Sequence, residues 1–144
     1  MTGPRLAPAE QDDAIAACFP VMHALRPHLT GVAGFVAQVR RQAKDGYRLL
    51  ALWVDDAVVA CAGYRVSENL VRGRNLYVDD LVTTVDARSR GYGDQLFDAL
   101  VAQARAGGCQ AFVLDSGVTN GAAHRFYFRK RMTVSALHFA LTLD

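Results

Sequence analysis

The sequence predicts an α/β (α+β) fold, a mixed and mostly antiparallel central sheet flanked by helices, over a single domain of residues 1–144. Three observations predict it. Two helical stretches come before any long strand. A β-hairpin pattern follows and leads to a third strand. That strand ends in a glycine loop and an amphipathic helix, in the stretch from Leu76 to Leu100 around which the chain is arranged. With 51% hydrophobic residues, 144 residues are enough to bury one sizeable core.

The elements read in the order β-α-α-β-β-β-α-β-α-β. Arg5–Ala7 is a short first strand. Residues 8–19 are helical, with Ala14, Ile15, Cys18 and Phe19 on one side. Pro20 has no N–H and clashes with the preceding turn, so it breaks or restarts that helix. Val21–Arg26 adds a turn or two, closed by Pro27. Thr30 reads as the N-cap of a second helix carrying Val32, Phe35, Val36, Val39 and Ala43 at helical spacing, and Gly46 as its stop. Tyr47–Val54 and Ala57–Val66 alternate on either side of Asp55-Asp56, a hairpin. Residues 67–74 read as a polar link. After the helix bearing Leu96, Phe97, Leu100, Val101 and Ala104, Gly107-Gly108 end it and Gln110–Leu114 is a buried strand. Asn120 caps a last helix, and Thr133–Leu143, with Leu137, Phe139, Leu141 and Leu143 facing one way, is the last strand.

A net charge of +2 with scattered cations argues against nucleic acid. No apolar run approaches the roughly 20 residues that span a bilayer, and the first residues lack the pattern of a secretory signal. Cys18, Cys61 and Cys109 form no C-x-x-C pair, so neither a disulfide framework nor a zinc site is indicated. Each is expected to pack as a small buried hydrophobe. His23, His28 and His138 have no partners at metal-ligand spacing, and there is no G-x-S-x-G elbow for hydrolysis. The expectation is a cytoplasmic protein, binding neither metal, nucleic acid nor membrane.

The loop Arg88-Ser89-Arg90-Gly91-Tyr92-Gly93 carries the chemistry. The first amides of a helix have no intrahelical acceptor, the positive end of the dipole adds to them, and glycine lets an anion approach. A bound polyphosphate is implied. Asp94, in the first helical turn, suits the dipole but would repel a phosphate unless its carboxylate points to solvent. Gly91 and Gly93 also begin the dinucleotide pattern G-x-G-x-x-G, with Asp115 at a plausible distance for a ribose. The third glycine position is Leu96, however, and too little chain follows for a doubly wound sheet.

The pattern [Q/R]-x-x-G-x-[G/A] is matched without a gap by Arg88, Gly91 and Gly93. Here, and in the order of elements along nearly the whole chain, the sequence resembles the GCN5-related N-acetyltransferase (GNAT) superfamily. That resemblance implies acetyl-coenzyme A as cosubstrate, with its pyrophosphate on residues 88–94 and its thioester carbonyl at the backbone of Val82 and Thr83. By position it offers Asn120 to the pantetheine arm and Tyr127 as the acid for the departing thiolate. Tyr127 also reads as a core aromatic with a hydrogen-bonded hydroxyl. Past it, where a Gly-aromatic pair normally closes the helix, stand Arg131-Met132, so a different C-cap is expected.

Asp79 and Asp80 are adjacent carboxylates in a strand, where successive side chains point to opposite faces. They read either as surface charges or as the groups that take a proton from, or anchor, the acceptor amine. YVDD looks like the YLED segment of diamine and polyamine acetyltransferases. Ala123-His124-Arg125-Phe126-Tyr127 looks like the matching segment of aminoalkylphosphonate acetyltransferases. Both imply a small primary amine as acceptor, with a peptide amine as the alternative. His23 and His28 lie where the superfamily lines its acceptor pocket. A module that senses acetyl-coenzyme A without turnover is a second reading. The apolar last strand is long enough to pair across a homodimer.

Overall fold

The computed structural model describes residues 3–88 and 90–144. Ser89, placed in the phosphate loop from the sequence, lies outside the described residues. The chain forms two compact units, Met1–Val113 and Leu114–Asp144.

In the first unit, β1 (Arg5–Pro8) is followed by α1 (Asp12–Ala17), α2 (Phe19–Leu25) and α3 (Val32–Ala43). Pro20 restarts the helix as its sequence position requires: Pro at the first helical turn loses only an N–H that has no partner there. The cap of α3 is Gly31 in extended conformation, with no side-chain hydrogen bond. Thr30 therefore does not cap it. The glycine places the turn without a cap from a side chain.

The sheet runs β1-β2-β3-β4-β5, with β2 (Arg48–Val54), β3 (Ala57–Asn69) and β4 (Gly73–Thr83) each antiparallel to the strand before it. β3 and β4 are longer than the sequence implied, because the polar link tightens to a three-residue turn. Asn69 Oδ1 accepts from Arg72 N at 2.7 Å, and Gly73 takes φ +67. A turn of 3₁₀ helix, Val85–Ala87, joins β4 to α4 (Tyr92–Ala106), and β5 (Ala111–Leu114) closes the order.

Alternation along the strands gives the sheet two buried faces. Leu49, Ala51, Cys61 and Val82 pack with Ile15, Val21, Phe35 and Val39 of α1–α3. The alternate residues Leu50, Leu52, Ala60, Ala62, Leu76 and Val78 are buried too, and α4 contributes Leu96 and Leu100 at 0% exposure. Burying each such leucine is worth about 1.5–3 kcal/mol, which makes α4 a fixed platform for the loop that precedes it. Cys18 and Cys61 are fully buried, and Cys109 is half exposed rather than buried. A hydrogen bond to Cys18, then burial, pushes the Cys61 thiol well above its ordinary pKa.

In the second unit, α5 (Gly121–Arg129) is capped by Asn120, whose Oδ1 accepts from Ala123 N at 3.2 Å. Its other end corrects the sequence expectation. Arg131 itself adopts φ +70, donating to Phe128 O while Met132 donates to Tyr127 O, both at 3.0 Å. This is the Schellman arrangement that glycine usually serves, built here with an arginine in the left-handed region. Residues 133–144 form no strand and are exposed. Alternation had marked which side would be buried; it could not supply a neighbouring edge. His138, expected in that strand, instead sets Nδ1 2.7 Å from Asp115 Oδ2.

The observed architecture is thus an α/β fold with a five-stranded mixed sheet and, among the described residues, five α-helices. A doubly wound dinucleotide fold is excluded by the three antiparallel pairings.

Candidate functional site

The glycine loop meets the helix as an anion site should. Gly91 is the N-cap of α4 at φ +80, a conformation that costs other residues about 1–2 kcal/mol. As a glycine, the N-cap residue supplies no side-chain hydrogen bond of its own. The first intrahelical bond is Gln95 N to Gly91 O at 3.0 Å, so the amides of Tyr92, Gly93 and Asp94 precede the ladder. A Cβ at Gly91 would meet nothing within 4 Å; backbone conformation, not crowding, calls for glycine. Arg88 and Arg90 flank it with exposed side chains, and Asp94 is half-buried in the first turn. The donor set therefore suits a polyphosphate: backbone N–H groups, a helix dipole and two guanidinium groups.

β4 leads into this loop. Gln110 N bonds Arg74 O at 2.7 Å just before β5 begins. With four residues, β5 reaches no further along β4 than about Val78 in either direction. Val82 and Thr83 lie beyond it, with β3 on their other side.

Between these lie the two aspartates, and here the structure overturns strict alternation. Asp80 pairs with Gly63 and Val78 with Tyr64, which leaves Asp79 as one extra residue on β4. Such a bulge bends the strand and re-aims its side chains. Asp79 and Asp80 consequently belong to one network instead of facing separate environments. Arg26 Nε and Nη2 bond Asp80 Oδ1 at 3.0 and 2.9 Å, and Nη2 also bonds the Asp79 carbonyl at 2.9 Å. Tyr47 donates to Asp80 Oδ2 at 2.8 Å. Arg65 bonds Asp79 Oδ2 at 2.9 Å and lies 5.3 Å over the Tyr47 ring.

Arg26, Tyr47 and Arg65 were not singled out in the sequence, where each is an unremarked member of a helix end or a strand. One signal was present. An isolated glycine in an apolar strand, here Gly63, marks a bulge or a close backbone approach. Both occur: a Cβ at Gly63 would stand 1.7 Å from the Tyr47 hydroxyl. Burial first, then the facing Asp80 charge, raises the Tyr47 pKa far above its ordinary value, so this hydroxyl is a donor at every ordinary pH.

The network borders a cleft of about 260 Å³ between α2, α3 and β4. Its polar lining is Arg26, His28, Gln38, Gln42 and Asp80; its apolar lining is Met22, Leu29, Phe35, Val39 and the Tyr47 ring. His28 borders it, whereas His23 stacks near Phe19 at 5.4 Å.

In the second unit, Tyr127 is half-buried, and burial raises its pKa above the usual 10.0. His124 Nε2 lies 2.8 Å from Gly117 O, and Asn120 is occupied as the cap described above. No metal cluster of His, Cys, Asp or Glu occurs among the described residues.

A family model described as the acetyltransferase (GNAT) family matches residues 11–132. The protein of Bacillus subtilis (strain 168) described as uncharacterized N-acetyltransferase YhdJ is 36% identical over 118 residues, 80% of this chain and 81% of its own length. Among solved structures, AAC(6')-Iy in complex with a CoA-S-monomethyl-acetylneamine bisubstrate analogue has a TM-score of 0.83 at 13% identity, covering 99% of this chain and 100% of its own. Glucosamine-6-phosphate N-acetyltransferase from Arabidopsis thaliana has a TM-score of 0.78 at 17% identity, over 99% and 100% of the two chains. These two share the fold. With a family model over most of its length and a relative at this identity, the chain belongs to the acetyltransferase (GNAT) family, that of acyl-CoA-dependent N-acetyltransferases.

Proposed function

We propose that the protein transfers an acetyl group from acetyl-coenzyme A to the primary amine of a small molecule, and that residues 1–144 act as one catalytic domain. The observation that carries the reading is the N-terminus of α4 with Gly91 as its N-cap in the left-handed region, reached from β4 through one turn of 3₁₀ helix. Continuity of the family model across residues 113 and 114 supports a single domain. No helix among the described residues is long and apolar enough to cross a membrane, and we read the enzyme as cytoplasmic.

Acetyl-coenzyme A supplies the activated acyl group; the chain's residues hold it and manage protons. Arg88, Ser89 and Arg90, with the amides of Gly91, Tyr92, Gly93 and Asp94, grip the pyrophosphate. Backbone N–H around Val82 or Thr83 polarises the thioester carbonyl, an electrostatic contribution made before the reaction begins. Asn120 steadies the pantetheine arm. Asp80 anchors the acceptor ammonium, and Asp79, Asp80 or a water they hold takes its proton. Along a strand Asp80 and Val82 are about 7 Å apart, so acceptor and carbonyl come together largely through positioning. Tyr127, kept protonated by burial, gives its proton to the leaving sulfur. No step uses a metal.

Release of free thiol from acetyl-coenzyme A in the presence of an amine panel tests this. Amine-dependent release is expected; coenzyme binding without any amine-dependent release would favour a sensing module instead.

A further inference from the structure

We infer that the cleft between α2, α3 and β4 takes a primary monoamine with an apolar, ring-sized body, and disfavours polyamines. This rests on the acetyltransferase reading for its consequence, while binding in the cleft stands apart from catalysis. Its lining holds one carboxylate, Asp80. Arg26 makes two bonds to Oδ1 and Tyr47 one to Oδ2. A carboxylate has about four lone-pair positions, so one remains, enough for a single N–H of one ammonium.

Charge points the same way. Arg26 offsets Asp80 within the same lining, and no second carboxylate among the described residues borders the cleft. A polyamine would bring further ammonium groups with nothing to pair them, and desolvating an unpaired charge is costly. The YVDD spelling pointed to polyamines; the arginine that fills Asp80 points away from them. Half of the lining residues are apolar: Met22, Leu29, Phe35, Val39 and the Tyr47 ring. At about 260 Å³ the cleft exceeds the roughly 150 Å³ of a cavity that admits benzene, leaving room for a ring and a short amine arm.

The test is calorimetric binding of 2-phenylethylamine, spermidine and glucosamine to the full chain, with thiol release from acetyl-coenzyme A followed in parallel. 2-Phenylethylamine is expected to bind at least about tenfold tighter than either competitor, each tenfold being 1.4 kcal/mol. Leu29→Trp, which adds bulk to the apolar lining at a half-exposed position, should abolish its binding. Arg26→Gln should shift the ratio toward spermidine by about tenfold, because Asp80 is then unpaired. Spermidine or glucosamine binding as tightly as 2-phenylethylamine, or no amine binding at all, overturns the inference. So does unchanged binding in Leu29→Trp. Binding of 2-phenylethylamine without acetyl transfer would uphold the cleft assignment and count against the proposed activity, so the two fail separately.

Discussion

The Tyr47 hydroxyl donates to Asp80 at 2.8 Å through the space that a side chain at residue 63 would occupy. Three positions distant in sequence thus depend on one another. Gly63 leaves the gap, Tyr47 fills it, and the carboxylate that borders the cleft is held in one orientation.

Gly63→Ala should be costly. Its Cβ would overlap the Tyr47 hydroxyl at 1.7 Å, so the ring must leave Asp80 or the strands must part. Overpacking of this kind costs about 1–3 kcal/mol. Urea unfolding should report a loss in that range; a change under about 0.5 kcal/mol would mean that the approach is looser than described.

The same tyrosine sets an alkaline limit. An unfolded tyrosine ionises near pH 10, while burial and Asp80 hold Tyr47 protonated well above that. Between those points the folded chain keeps a proton that the unfolded chain has lost. Its contribution is therefore complete below about pH 10 and falls as pH rises, by up to about 1.4 kcal/mol per pH unit. Cys61, also raised, begins the same decline from about pH 8.5. In Tyr47→Phe the slope of unfolding free energy against pH should be shallower above pH 10. An identical slope would show that the hydroxyl is not sequestered.

Arg131 marks a place where the chain can be improved. It occupies the left-handed region at φ +70 to close α5. Glycine adopts that conformation freely but costs more chain entropy, so Arg131→Gly should gain about 0.5–1 kcal/mol. Denaturation midpoints of the two proteins compare them directly, and a destabilised variant would contradict the cap geometry.

Tyr127→Phe separates catalysis from packing. Loss of a proton donor in the transition state lowers kcat, here by roughly 10²-fold or more, with KM little changed. If the ring merely packs, both constants should stay near those of the parent.

Much of this arrangement was legible in the residues. Helical spacing in α3 and α4, the Asp55-Asp56 hairpin and the Arg88–Gly93 loop follow from local physics, and local physics leaves a pattern. The bulge at Asp79 leaves only the isolated Gly63 across the ladder, because one extra residue changes register without changing composition. For that reason the two aspartates were assigned opposite faces, and Arg26, Tyr47 and Arg65 went unnoticed as their partners. Thr133–Leu143 failed for the converse reason. It carries a strand's alternation, yet a strand also needs an edge to pair with, and no local pattern records that. Thr30 was misread as a cap and Arg131 as unable to serve in one, because glycine and arginine occupy positions where propensity favours other residues.

Every catalytic role proposed above depends on the loop before α4 holding the diphosphate of coenzyme A. Isothermal titration of coenzyme A against the parent and Arg88→Ala/Arg90→Ala measures it without need of an acceptor. Saturable binding by the parent is expected, with a loss of at least about tenfold in the variant, some 1.4 kcal/mol. Equal affinity in both proteins would contradict it.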